Sequence, residues 1–244
     1  MNDSLPQGGA ARGLSAFTLK LLAIFGMTLD HIATVFGGSL SLPAETALHA
    51  LGGLTFPIMA FLLVEGYKHT TNFKRYALRL LVFAVIAAAP FMWAMGALRL
   101  NIMFTLLLGL ITLYLHDNMK KRVLFWLVFV GVILATYFMD WSLIGVPMVL
   151  LYHTLRRKWA RVTIPVLLLV GLLAVQLAAV WATPSMALVS QLPFVAYTFI
   201  GCGLTIPLLA GYNGARGRSM KYFFYAYYPA HLLILALIRT YLSK

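Results

Sequence analysis

The sequence predicts an all-α, polytopic membrane helix bundle of about nine transmembrane helices. Composition is the first observation. The 244 residues are 62% hydrophobic and only 10% charged, against about 45–50% and about 25% in soluble domains, and the mean hydropathy is +0.89. The second is a series of apolar runs of membrane-spanning length. The third is a basic charge that falls almost entirely in alternate loops. A net charge of +13 would suggest nucleic acid in a soluble chain. Here the orientation rule for membrane proteins accounts for it, and no nucleic-acid partner is expected.

Residues 1–15 are polar, small and Gly-rich and form an expected disordered tail; 16–244 form one integral-membrane domain. Apolar runs between polar or Pro/Gly breaks give segments at about 17–37, 46–67, 76–96, 101–116, 122–139, 142–155, 162–182, 187–210 and 220–242. The first is too long for a signal-peptide core and carries an acid and a histidine, so it reads as a retained helix. The fourth and sixth are short and fit tilted or broken helices. Of nineteen Lys and Arg, all but Arg99, Arg239 and Lys244 fall on one side of this arrangement. That bias predicts a cytoplasmic N-terminus and an outer C-terminus. The single Cys202 excludes an internal disulfide and a cysteine metal cage. No metal site is expected.

The polar residues inside the apolar runs are the functional candidates, because a central Asp costs a membrane helix roughly 2.5–3.5 kcal/mol. Asp30 and His31 lie about 20 Å into the first segment, just past the midplane. His231 enters from the ninth at about half depth. Glu65 closes the second segment, ahead of Tyr67, Lys68, His69 and Asn72. Asn101 opens the fourth on the outer side, and Arg79 sits a turn inside the third. A buried acid also serves to neutralise a basic partner, and a lone membrane histidine to bond two helices. Adjacent helical positions point about 100° apart, so Asp30 and His31 need not touch. His49, His116 and His153 lie near helix ends and read as interfacial. No phosphate loop, dinucleotide-binding motif, zinc-ligand pair at helical spacing or nucleophile elbow is present.

Four stretches together resemble the TraX family, the conjugative-pilin N-acetylases and their relatives among fimbrial assembly proteins. They are Lys20 through Asp30-His31-Ile32; Leu54 through Thr70, continuing to Asn72, Tyr76, Arg79-Leu80 and Pro90-Phe91; Asn101 through Thr105; and Tyr222 through Tyr225 with Tyr228-Pro229-Ala230-His231-Leu232. The family often has Gly-Arg before its x-x-Phe-Pro and Ser-Glu before Pro-Phe, where this chain has Gly52-Gly53 and Ala88-Ala89. More distantly the chain is similar to membrane acyltransferase-3 proteins, which modify envelope glycans.

The resemblance implies a multi-pass protein of the bacterial inner membrane that moves an acetyl or short acyl group from cytosolic acetyl-CoA to an outer-side acceptor. The expected acceptor is the N-terminal amine of a pilin; an envelope glycan, or a non-catalytic transporter or pilus assembly role, are the alternatives. His31 is the expected general base, Asp30 its carboxylate partner, and Asn101, His231 or Tyr228 donors to the oxyanion. Glu65, Tyr67, Lys68, His69, Asn72, Lys74, Arg75 and Arg79 are the expected acyl-CoA residues, since basic side chains bind phosphate through charge-assisted hydrogen bonds.

Overall fold

The computed structural model describes residues 13–181 and 188–243. Its regular elements are helical, with two isolated bridge pairs, Leu14 with Tyr212 and Leu100 with Met139. Residues 1–12 of the expected tail lie outside the described residues. Leu14 itself is anchored: its N–H donates to Gly211 O at 2.8 Å and its carbonyl accepts from Asn213 at 3.0 Å.

Each apolar segment coincides with a helix or a short helical series. Helix α1 (Ala16–Phe36) begins where the Ser15 hydroxyl accepts from the Thr18 N–H, which satisfies one of the four orphan donors of the first turn. The second segment is two helices, α2 (Leu42–Gly52) and α3 (Thr55–Lys68). Pro57 lacks the N–H that would bond the Gly53 carbonyl, so the ladder is interrupted there. Helices α4 (Phe73–Met95), α5 (Ile102–Asn118), α6 (Arg122–Ala135), α7 (Gly145–Thr154) and α8 (Lys158–Trp181) follow. The eighth segment is α9 (Leu192–Val195), a π-helical turn (Ala196–Cys202) and α10 (Gly203–Ala210). Helix α11 (Lys221–Leu242) ends the chain.

Five helical stretches among the described residues are long and apolar enough to cross a membrane: Ala16–Ser39, Leu42–Lys68, Phe73–Met95, Lys158–Ala179 and Val189–Ala210. Ile102–Asn118 and Arg122–Phe138 are shorter apolar helices. The outer surface agrees with a membrane setting. Helix α6 buries only Phe125, while Val123, Leu127 and Leu134 each expose more than half of their surface. An apolar face of that kind needs a non-aqueous neighbour. Inside, α1 packs on α2, α3 and α11, α4 runs along α11, and α5 and α7 pair beside α3. The core centres on α3, where Phe56, Ile58, Ala60, Phe61 and Val64 are all buried.

The break between α2 and α3 meets the π-turn. A Cβ added to Gly53 would lie 2.3 Å from the Tyr197 carbonyl and 2.8 Å from the Gly201 Cα. Backbone therefore packs on backbone, and position 53 has no room for the longer side chain seen in the family pattern. π-turns are rare and concentrate at functional sites.

Asn101 is a structural joint. Its Oδ1 accepts from the Met103 N–H at 3.0 Å and caps α5, while its Nδ2 donates to the Ala84 carbonyl of α4 at 2.8 Å. Asn101→Ala is expected to cost about 2 kcal/mol, about 1 for the cap and about 1 for the buried hydrogen bond. Thermal unfolding in detergent micelles measures it; an unchanged midpoint would count against the joint.

Candidate functional site

His31 and His231 meet across the α1–α11 interface. Both are buried, their rings stack at 5.1 Å between centroids, and His31 Nδ1 lies 2.8 Å from His231 Nε2. The proton positions follow from the partners. His231 Nδ1 is 2.9 Å from the Tyr227 carbonyl, which only accepts, so Nδ1 of His231 carries the proton and its Nε2 is a lone pair. That lone pair requires the N–H of His31 on Nδ1. His31 Nε2 is left as the basic nitrogen, on a ring that lines a cavity. The Tyr227 ring stacks on His231 at 5.1 Å. Its hydroxyl lies 2.7 Å from that of Thr28; because Thr28 already donates to Ile24 O, Tyr227 is the donor. This chain ties α11 to α1 and holds the imidazoles in register.

The cavity has a volume of about 600 Å³. At one end lie Lys20, His69, Arg79 and Arg216. Towards the other lie Asp30, His31, Asp140, Trp141 and Tyr197. Along α1 the two ends are about 15 Å apart, the rise from Lys20 to Asp30. One chamber thus joins a cationic mouth to a base deep in the bundle. Glu65 also lines the mouth, but its carboxylate is taken by Arg161 of α8 and by Lys68 at 3.3 Å. The Arg79 guanidinium sits 5.6 Å from the Tyr76 ring centroid, and its buried Nε has no hydrogen-bond partner among the described residues. Tyr228 lines the cavity beside His31, 6.3 Å between rings. Its buried hydroxyl finds no acceptor among the described residues, so an unspent donor stands on the same cavity wall as His31.

The deep end is shaped by the loop 139–144. Trp141 and Leu143 adopt left-handed backbone, φ 60° and 61°, a conformation that costs a non-glycine residue energy and concentrates at functional sites. Hydrogen bonds hold the turn: Leu143 N–H donates to Thr136 Oγ1 at 2.9 Å and Asp140 N–H to Leu100 O at 2.7 Å. Trp141 stacks on Phe56 at 4.0 Å. Asp140 is partly buried and lines the cavity. Burial, reinforced by the charge of Asp30 and opposed by Arg99, pushes its carboxyl up to about 6. A folded pKa above the unfolded value of 3.8 penalises the ionised fold, from little at pH 4 to fully above pH 6. Asp140→Asn keeps the acceptor for the Trp141 N–H and is expected to raise the unfolding temperature at pH 7.5. The gain should fade as pH drops from 6 to 4; a gain independent of pH would contradict the assignment.

The structure distributes the sequence candidates unevenly. Asp30 does not touch His31: its Oδ1 pairs with His49 Nδ1 of α2 at 2.8 Å, and the partner of His31 is His231. Asn101 spends both amide atoms on α4 and α5. Of the acyl-CoA candidates, Glu65, His69 and Arg79 line the cavity. Tyr67 donates instead to Asp117 Oδ2 at 3.0 Å, Lys68 pairs with Glu65, and the Asn72 side chain caps α4 by accepting from the Arg75 N–H. Lys74 and Arg75 are exposed on α4 outside the lining. Sequence reasoning missed Lys20, a basic residue inside the first apolar run and legible as such. It also missed Trp141 and Tyr197, which reach the cavity from a strained loop and a π-turn that carry no periodicity signal.

A family model described as TraX protein matches residues 15–239. The chain is 30% identical over 251 aligned positions to the probable fimbrial assembly protein FimC, serogroup H1, of Dichelobacter nodosus, covering 94% of this chain and 97% of that protein. No solved structure matches. Since the match takes in every element that lines the cavity, from α1 with its Asp30-His31 pair to α11 with His231, the chain belongs to the TraX family.

Proposed function

We propose that this protein is an integral-membrane acetyltransferase that carries an acetyl group from cytosolic acetyl-CoA to an acceptor on the outer side, the N-terminal amine of a pilin. One observation carries the reading: a single cavity joins a cluster of cationic side chains to an imidazole whose free nitrogen is Nε2. The proposed topology has nine spans, with the N-terminus in the cytoplasm of a bacterial inner membrane and the C-terminus outside. It follows from the bias of Lys and Arg to alternate loops, and it puts the cationic mouth on the cytoplasmic side, where CoA is.

Lys20, Arg79 and Arg216 hold the CoA phosphates at the mouth, and the pantetheine arm extends inward. His31 Nε2 removes the proton from the acceptor amine as its nitrogen attacks the thioester carbonyl. His231 Nε2, accepting from His31 Nδ1, stabilises the imidazolium that forms. Tyr228 O–H donates to the oxyanion of the tetrahedral intermediate, the role that Asn101 is too occupied to fill. Collapse breaks the C–S bond, and the departing CoA thiolate takes the proton from His31. The acidic residues at the deep end, Asp30 and Asp140, suit an acceptor that arrives as an ammonium, and gives up its first proton to solvent before His31 takes the second, better than a neutral glycan hydroxyl.

The test is incubation of the reconstituted protein with labelled acetyl-CoA and a peptide carrying a pilin N-terminus, read by mass analysis of the peptide. Acetyl-CoA at 100 times its Kd should also stabilise the fold by about 2.7 kcal/mol, and Arg79→Met should weaken that protection. Absence of both label and protection would refute the enzyme. Proton-linked flux in that case would identify a carrier.

A further inference from the structure

Outside the cavity, three metal-ligating side chains converge where α3, α5 and α7 end together. His116 Nδ1 lies 3.0 Å and His153 Nε2 2.8 Å from the same oxygen, Oδ1 of Asp117. The three donor atoms lie within 4.8 Å of one another, and the two imidazoles meet edge to face at 5.6 Å. The other carboxylate oxygen, Oδ2, accepts from the Tyr67 hydroxyl at 3.0 Å, and the Tyr67 ring packs against His153 at 5.6 Å. None of these four residues lines the cavity.

We propose that His116, Asp117 and His153 bind a divalent transition-metal ion of the Zn²⁺ class, with Tyr67 as the outer-sphere residue that orients the carboxylate. Two imidazole N–H groups directed at one carboxylate oxygen occupy the positions a cation would take. Moving each proton to the ring's other nitrogen leaves the nitrogen that faces Oδ1 a lone pair to donate to one ion. Metal–nitrogen distances of about 2.0–2.1 Å and metal–oxygen distances of about 2.0–2.2 Å set donor separations near 3.3 Å in a tetrahedral site. The observed edges of 2.8 and 3.0 Å need to open by a few tenths of an ångström, and the two nitrogens, within 4.8 Å of each other, to settle at about 3.3 Å. Two nitrogens and one oxygen suit Zn²⁺, Co²⁺ or Ni²⁺ and disfavour Ca²⁺ and Mg²⁺, which take all-oxygen shells. Asp117 is partly exposed, and the fourth position opens to solvent water. A hydrogen bond to the free oxygen of a ligating carboxylate is the usual second-shell support. The nearby Arg122 guanidinium is engaged with the His116 carbonyl at 2.9 Å, on the backbone side of the site.

The ion would staple α5 to α7 and, through Tyr67, to the end of α3 that carries Glu65. Sequence spacing hides such a site, because His153 comes from a helix 36 positions beyond Asp117. The proposal does not depend on acetyl transfer, so its failure and that of the enzyme reading are distinguishable.

Tag-free, full-length protein in detergent is stripped with chelator and titrated with Zn²⁺, then with Co²⁺. The expected result is one ion per chain, a visible absorption band with Co²⁺, and a rise in unfolding temperature that chelator reverses. His153→Ala and Asp117→Asn should abolish the metal-dependent increment, whatever they do to the metal-free midpoint. Tyr67→Phe should weaken affinity about 10–100-fold while retaining stoichiometry. An increment that survives in His153→Ala, or no Co²⁺ band and no increment at metal concentrations to about 100 µM, overturns the proposal.

Discussion

Under the proposed mechanism, acetyl transfer by His31→Ala is expected to fall about 10²–10⁴-fold, the range for removal of a positioned general base. The proposed mechanism asks the His31 Nε2 lone pair to accept the acceptor's proton, and among the described residues no other imidazole lines the deep end of the cavity. The loss should fall on kcat, with the acetyl-CoA KM little changed, because the residues proposed to hold the phosphates lie about 15 Å away along α1. His231→Ala provides the control for the tautomer argument. Without the acceptor that fixes the His31 proton on Nδ1, the base populates both tautomers, and activity should drop by less than in His31→Ala. Equal activity in His31→Ala and the parent would remove the base from the mechanism. Equal losses in the two variants would mean that the pair acts as a unit.

Arg161→Met is expected to cost about 2 kcal/mol of stability, between the ranges for exposed and fully buried ion pairs, because both partners are partly buried. Arg161 of α8 reaches Glu65 of α3, donates through Nε to the Tyr152 carbonyl of α7 at 2.7 Å, and sits 4.6 Å from the Phe61 ring centroid. One side chain therefore joins three helices. Lys68 still faces Glu65 in the variant, which keeps the cost below that of a fully buried pair. Glu65→Gln together with Arg161→Met should recover much of the loss, because no partly buried carboxylate is left short of its partner. Unfolding of the four proteins in one mild detergent gives the coupling energy. Strictly additive losses would show that the guanidinium acts through Tyr152 and Phe61 alone.

The helices were legible because their signal is local. Apolar runs bounded by basic, Pro or Gly breaks mark α1, α4, α5, α8 and α11 to within a few residues. The break between α2 and α3 was not legible, although both its parts, Gly53 and Pro57, stand in the run. Only the close approach of Gly201 on the π-turn explains why the chain tolerates an interrupted ladder there. Among site residues, the burial cost of His31 and His231 singled them out one at a time. That they share a hydrogen bond across 200 positions is a fact of how α1 packs on α11. Asp30 shows the opposite outcome. Its neighbour in sequence is His31, yet a turn of about 100° per residue delivers it to His49 of another helix. Asn101, polar at the head of an apolar run, reads equally well as a cap or a donor to substrate. The packing of α4 beside α5 decides for the cap.

The sequence by itself determined that this chain is an all-α membrane protein and which polar groups sit deep within it. Hydropathy, helix rise and the cost of a buried charge are properties of short stretches. The tertiary structure alone decided which imidazole carries the free lone pair, which carboxylates are already spent on basic partners, and which helix ends bring ligands together. Those outcomes depend on how each helix is rotated against its neighbours, and that rotation is set by packing between residues distant along the chain.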